Sequence, residues 1–472
     1  GTPSLRMLPF SAVLSLTTLG GGAAILALLY AGWYLYANLR YSGEPPVISG
    51  LIPFLGVAIE FGKDSVSFLR KCQRDHGDVF TLIIAGKRMT FIMDPDDIPR
   101  VFREKKRLTF NDIGHEVGKQ AFMYNEKGLA EPSMDKWVHQ WYQIGLQRSE
   151  NLTELTSRTK KHLLSEISAA LRVQKGQTSP ALDLWAFVSE VVFKATTMSF
   201  FGDTGLDHDQ LREDFEKFDE AFPLLAGGVP SIVAPTAVKA LDRLAGQMMS
   251  QARRKAQASA LINAREERFQ ESKLMTDDDK SRTHVSLLWA MQGNTLPASF
   301  WSLAFIYQDK KIVDILREEI TNVIRSKDGS SSWKLGDSVP DLTCEDLNAM
   351  FRTESSIMEA LRMRSSSLSI RRVKENMSLK LSSGIFAVRK GDTIVIASQA
   401  LHQDIEIHSK PANFLWNRFL EESEDKEGVP SMKKSFQKGE KSLPLSGAYM
   451  PFGGGVSMCP GRFFAINEIK IF

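Results

Sequence analysis

The hydrophobic pattern begins with a long uncharged run. From Met7 to Leu39 there is no charged residue, and Ala23 to Tyr36 is dense in Leu, Ala and aromatics, enough for one helix to cross a bilayer. Tyr30, Trp33, Tyr34 and Tyr36 gather at its C-terminal end and Arg40 follows, which suits a membrane interface. The pattern predicts a membrane anchor over 1–40, with a cleaved signal peptide and a buried helix as competing readings. Pro45-Pro46 and the turn-rich Gly50 to Gly56 make 41–60 a stiff hinge. No linker interrupts the remainder, so 61–472 reads as one folded domain.

Within that segment Asp64 can cap a helix running to Asp75, and two β-rich runs, Val79–Ile84 and Met89–Met93, predict a hairpin through Ala85-Gly86-Lys87. Residues 108–135 read as loop because Gly114, Gly118, Gly128 and Pro132 interrupt them. Helical periodicity then predicts Leu152–Val173, Leu182–Phe201, Asp207–Phe222 and one long helix, Pro235–Phe269. Asp277-Asp278-Asp279-Lys280 reads as a solvated connector to a helix carrying Leu287 to Pro297, and Ser326 to Ser332 as a polar loop. A helix over Leu347–Met363 and strands Leu368–Val373, Ile385–Val388 and Thr393–Ala397 complete a mainly α protein with a small β region.

Composition excludes more than it identifies. With 472 residues, 43% of them hydrophobic, the chain can bury a large core. Its 59 basic and 56 acidic residues leave a net charge of +3, which is no nucleic-acid signature. Three cysteines, Cys72, Cys344 and Cys459, offer neither a disulfide framework nor a paired zinc motif, and they suit a reducing compartment.

The candidate chemistry lies in Phe452-Gly453-Gly454-Gly455-Val456-Ser457-Met458-Cys459-Pro460-Gly461-Arg462. Phe463, Phe464, Ala465, Ile466 and Ile469 follow at helical spacing, so Cys459 stands before a helix N-terminus, where the dipole and free N–H groups favour a thiolate. The glycines let a large flat group approach the backbone. Such a thiolate is a nucleophile or a metal ligand.

The spacing of Phe452, Gly455, Cys459 and Gly461 fits F-x-x-G-x-x-x-C-x-G and resembles the cytochrome P450 family of haem-thiolate monooxygenases. The resemblance implies a cytochrome P450 fold, haem b with Cys459 as axial iron ligand, and thiolate electron donation that favours O–O cleavage. It also implies a site in the endoplasmic reticulum membrane facing the cytosol, contact with membrane lipid, and electrons from NADPH through NADPH-cytochrome P450 reductase. Two positions depart from the family: Ser457 stands where a basic residue contacts a haem propionate, and Trp141 replaces the Arg of W-x-x-x-R beginning at Trp137. Arg371 is the implied propionate ligand, with Arg372 as its alternative. His139 is placed either near the haem or on a helix surface.

In the distal helix the family pattern [AG]-G-x-[DE]-T pairs an acid with an alcohol for proton delivery. Aligned on Ala290, it puts Gly293 at the acid and Asn294 at the alcohol, while Thr295 is a competing alignment one residue away. Pro297 is expected to kink the helix. Glu359 and Arg362, joined by Arg418 of Trp416-Asn417-Arg418-Phe419, match the family's structural triad, and Lys433, Lys434, Lys438 and Lys441 are either solvated or a reductase-docking face.

The run Trp289-Ala290 to Asn294-Thr295 and Pro297 narrows the resemblance to the branch holding sterol and oxysterol 7-alpha-hydroxylases, sterol 12-alpha-hydroxylase and prostacyclin synthase, with oxysterol 7-alpha-hydroxylases the nearest likeness. His76 to Thr81, Thr90 to Pro95 and Asp214-Phe215-Glu216-Lys217-Phe218-Asp219 support it. The expected activity is hydroxylation of a sterol or oxysterol; an endoperoxide isomerase and a non-catalytic haem-binding lipid sensor are the alternatives. Because family members continue past the cysteine helix into a β-rich tail, the end at Phe472 implies an incomplete C-terminus.

Overall fold

A computed structural model describes residues 27–32, 41–52, 54–147, 149–174, 182–202, 205–251, 257–329, 338–421 and 430–472. Of the expected anchor only 27–32 are described, as exposed helix; the rest of 1–40 lies outside the described residues. The chain forms two compact units, one of residues 1–109 and 368–400 and the other of 110–367 and 401–472.

The first unit is built on a six-stranded sheet. Its strands are β1 (Val47–Ile48), β2 (Val79–Ile84), β3 (Lys87–Ile92), β4 (Leu108–Thr109), β5 (Leu368–Val373) and β8 (Thr393–Ala397), in the order β1-β2-β3-β8-β5-β4. β6 (Met377–Leu381), which the sequence reading missed, pairs separately with β7 (Gly384–Val388). The predicted hairpin is present, and Ala85 and Gly86 at its turn both have positive φ (47° and 75°), as tight hairpin turns require. Helix α1 (Ser65–His76) is capped by Asp64, whose carboxylate accepts from Ser67 N at 3.0 Å. Leu69 on its inner face joins Phe80, Leu82, Phe91 and Val395 in the unit's core.

The second unit is helical. It contains α2 (Met134–Tyr142), α3 (Ser149–Gln174), α4 (Leu184–Phe201), α5 (His208–Ala226), α6 (Pro235–Gln251), α7 (Ala260–Glu271), α8 (Asp277–Ile306), α9 (Lys310–Asp328), α10 (Phe351–Arg364) and α11 (Arg462–Ile471). Helix α4 is long and apolar enough to cross a membrane, yet 67% of it is buried inside the unit, as in a core helix. Gln292 of α8 donates to Phe193 O of α4 at 3.1 Å, tying the two central helices together.

Four sequence expectations are corrected here. The single helix over 235–269 is two helices, because Ser259 leaves the helical conformation, donates its N–H to Phe200 O and caps α7. The acidic run at 277–280 is the first turn of α8: Thr276 and Asp279 form a reciprocal capping box, and Asp279 is buried. Residues 108–135 include helices Asn111–Gln120 and Glu126–Leu129. The helix expected over 347–363 breaks at Ala349-Met350, after Cys344–Asn348, and α10 restarts where the Glu319 carboxylate of α9 accepts from Arg352 N and Thr353 N at 2.7 and 2.8 Å.

Candidate active site

Cys459 ends a loop closed by its own N–H on Phe452 O at 2.9 Å. Gly453 and Gly455 within the loop have φ of 69° and 68°, a region that side chains enter only at a cost. Gly461 is the N-cap of α11, and a Cβ on it would lie 3.9 Å from Cys459 Sγ. Burial pushes the Cys459 thiol up, while the backbone N–H groups of Gly461 and Arg462 and the Arg462 guanidinium favour the thiolate. Ser457 Oγ is buried without a hydrogen-bond partner among the described residues.

Behind this loop a buried ionic cluster holds the preceding chain. Glu359 accepts from Arg362 Nε at 2.7 Å and Nη2 at 2.9 Å, and from Arg418 Nε at 2.8 and 2.9 Å. The guanidiniums spend their remaining donors on carbonyls: Arg362 on His402 and Pro411 (2.7 and 2.8 Å), and Arg418 on Ser409 (2.7 Å). The segment 402–418 is thus fixed by its own backbone. It reaches on to the cysteine loop through His402 Nε2, which accepts from Met450 N at 2.8 Å, and His408 Nε2, which donates to Ala448 O at 2.9 Å. Burial lowers His402 to about 3 and His408 to about 4, so both are neutral imidazoles.

Helix α8 carries the other expected residues. Ala290 and Asn294, one turn apart, are exposed; Gly293 is partly so, and Thr295 is buried. Of the two competing alignments, it is Asn294 whose side chain faces the open side. The helix runs through Pro297, which has no N–H to offer the Gly293 carbonyl one turn back.

The remaining residues are placed as follows. His139 is exposed on α2. Arg371, in the first unit, is buried, with Nη1 on Ile370 O at 2.7 Å and its guanidinium 5.0 Å from the Phe102 ring centre. Lys438 pairs with Asp404 at 3.2 Å, and Lys433 Nζ donates to Arg418 O at 3.0 Å.

Two features escaped sequence reasoning. Trp141 donates its indole N–H to Ala264 O at 3.1 Å, and the buried Arg265 guanidinium of α7 lies 4.7 Å from its ring centre, with Nε unpaired among the described residues. A cation therefore stands beside the position where the motif lacks its Arg. Asp219 of α5 accepts from Trp289 Nε1 at 2.8 Å. Both Asp219 and Trp289 lie in stretches singled out by sequence, but nothing along the chain joins them.

The Cytochrome P450 family pattern matches residues 45–272 and 236–472. Mouse cytochrome P450 7B1 is 32% identical over 467 residues, covering 96% of this chain and 88% of that protein. The cholesterol 7-alpha-monooxygenase of Cricetulus griseus is 32% identical, covering 93% of this chain and 87% of that protein. The solved structure of retinoic acid bound cyanobacterial CYP120A1 superposes with a TM-score of 0.65 at 18% identity, covering 92% of this chain and 91% of that one, which establishes the fold. Cysteine loop, buried ionic cluster and open central helix thus occur in a chain that belongs to the cytochrome P450 family, as a monooxygenase.

Proposed function

We propose that this protein hydroxylates a sterol or oxysterol at the 7-alpha position. The observation that carries the substrate class is the likeness, over more than nine-tenths of the chain, to a relative named as a cholesterol 7-alpha-monooxygenase. Haem held by Cys459 would supply dioxygen activation, with electrons passed from NADPH by NADPH-cytochrome P450 reductase.

The residues present fit that group. Cys459 Sγ stands at the start of α11; burial raises its proton affinity, two backbone N–H groups and Arg462 oppose that, and the charge of a bound haem iron would favour the deprotonated ligand. Gly453 and Gly455 carry no side chains that would block a planar ligand. Ser457 Oγ and Arg265 Nε are buried groups with unspent hydrogen-bonding capacity, suited to propionate oxygens or ordered water. On α8, Asn294 orients a water or a substrate hydroxyl, but an amide is a poor proton donor, so protons must arrive through ordered water or the substrate. The reading places the catalytic part on the cytosolic side of the endoplasmic reticulum membrane, anchored through 1–40. The exposed Ile232 and Val233 on the connection into α6 suit lipid contact.

The test is the carbon monoxide difference spectrum of the reduced protein beside Cys459→Ala, followed by product analysis with sterols, NADPH and reductase. A thiolate-type Soret band present in the wild type and lost in the variant, together with 7-alpha-hydroxylated product, is the expected result. Absence of the band refutes the assignment of Cys459. Haem binding with NADPH-independent rearrangement of an endoperoxide would select the isomerase instead.

A further inference from the structure

One carboxylate beside the open face of α8 has no role in what precedes. Asp219 projects from α5 to the Trp289 indole, and a Cβ on Gly293 would lie 3.4 Å from Asp219 Oδ1 and 3.4 Å from Trp289 Nε1. The carboxylate and the indole thus lie against the α8 backbone at Gly293, within van der Waals reach of a Cβ at that position. The surroundings are aromatic: Phe222 stacks on Trp289 with ring centres 3.8 Å apart, and Phe122 meets Trp289 edge-on at 6.1 Å. Ala290 and Asn294 follow around the helix, both exposed.

A half-buried carboxylate among aromatic rings is costly unless its lone pairs are used. Burial raises the proton affinity of Asp219, and the Trp289 N–H offsets that only in part. Trp289 occupies Oδ1; Oδ2 has no hydrogen-bond partner among the described residues. Fixing the indole needs a single acceptor, so the second oxygen is surplus to that structural role. It is an accessible acceptor beside aromatic rings, an arrangement by which a site tells an alcohol from a ketone or a hydrocarbon.

We propose that Asp219 is a specificity-determining residue whose free Oδ2 accepts a hydrogen bond from a hydroxyl of the bound sterol. The inference rests on the sterol reading above and adds the group by which the sterol is recognised. Two hydroxyls have this chemistry, one on the ring system and one on the side chain, and the probes separate them.

The experiment is titration of the haem-loaded protein with cholesterol, its 3-oxo counterpart and 25-hydroxycholesterol, following the Soret shift, for wild type, Asp219→Leu and Asp219→Asn. The wild type is expected to bind the sterol with the relevant hydroxyl about tenfold or more tightly than the analogue without it. Asp219→Leu abolishes that preference. In Asp219→Asn, Trp289 N–H still requires the oxygen, so the amide nitrogen takes the place of Oδ2 and a donor replaces an acceptor. If the ring hydroxyl is recognised, the variant therefore loses its preference over the 3-oxo sterol, because hydroxyl and carbonyl oxygens both accept from the amide; if the side-chain hydroxyl is recognised, 25-hydroxycholesterol stays favoured in Asp219→Asn and loses its advantage only in Asp219→Leu. The proposal is overturned if the wild type shows no preference in either pair, or if its preference persists in Asp219→Leu. Failure of every sterol to shift the wild-type spectrum removes the sterol reading and this inference together, whereas sterol binding without discrimination removes only the inference. Asp219→Asn is nearly isosteric and carries the ring-hydroxyl arm if the leucine variant folds poorly; Asp219→Ala then replaces the leucine variant in the side-chain arm, with the same expected loss of preference.

Discussion

The Glu359 cluster and the open face of α8 belong to the same unit and treat their polar groups in opposite ways. Around Glu359 the charges are buried and heavily bonded: one carboxylate meets two guanidiniums, which pass their other donors to His402, Pro411 and Ser409 carbonyls. Around Asn294 capacity is left over: the amide is exposed, Asp219 Oδ2 has no partner among the described residues, and Pro297 withholds an N–H from Gly293. The first arrangement fixes a backbone path to the cysteine loop. The second keeps hydrogen-bonding groups available for a ligand. Saturated buried networks specify shape, whereas unsaturated groups on an open face specify recognition.

Breaking the saturated side should produce the largest effect. Glu359→Ala strands two buried guanidiniums, and loss of one partner of such a network costs about 3–5 kcal/mol. The expected result in thermal unfolding is a collapse of the transition, with loss of bound haem. A melting temperature close to wild type would show that the guanidiniums are satisfied by carbonyls alone.

A second change tests whether the side that holds the cysteine loop is saturated everywhere. Glu468 of α11 is fully buried; its Oε1 accepts from Thr196 and its Oε2 is unpaired among the described residues. Burial raises it from 4.5 to about 8. Below 4.5 the group is protonated in both folded and unfolded chains. Its contribution to stability is full there and is lost as pH rises toward 8, because only the unfolded chain gives up the proton. Glu468→Gln removes this dependence, so the stability of the variant relative to wild type should increase by an amount on the order of a few kcal/mol between pH 5 and pH 8. His402 and His408 destabilise the fold in acid, but equally in both proteins, and cancel in the difference. A difference that stays flat over this range would mean that Glu468 is ionised and solvated.

The smallest effect on stability belongs to the open side. Asn294→Ala should leave unfolding within about 0.5 kcal/mol of wild type, as for exposed positions generally. Its effect should appear instead in sterol product formed per NADPH consumed, which should fall. A loss of stability like that of Glu359→Ala would erase the distinction between the two regions.

What the sequence determined by itself was whatever depends on neighbours along the chain. The spacing from Phe452 to Gly461 sets the cysteine loop, Glu359 and Arg362 meet because i and i+3 share a helical face, and the turn at Ala85-Gly86 makes the hairpin. Tertiary structure decided the rest. No local pattern divides 235–269, because the break depends on Ser259 reaching Phe200. Nor does periodicity show that the acidic residues 277–280 are helical; that depends on capping by Thr276 and burial of Asp279. The cation beside Trp141 comes from α7, and the carboxylate beside Gly293 comes from α5. In both cases the motif lacks a polar residue and a separate helix brings one to the same place. Sequence spacing records contacts within an element, but the group that fills the space beside a missing side chain is chosen by how helices pack.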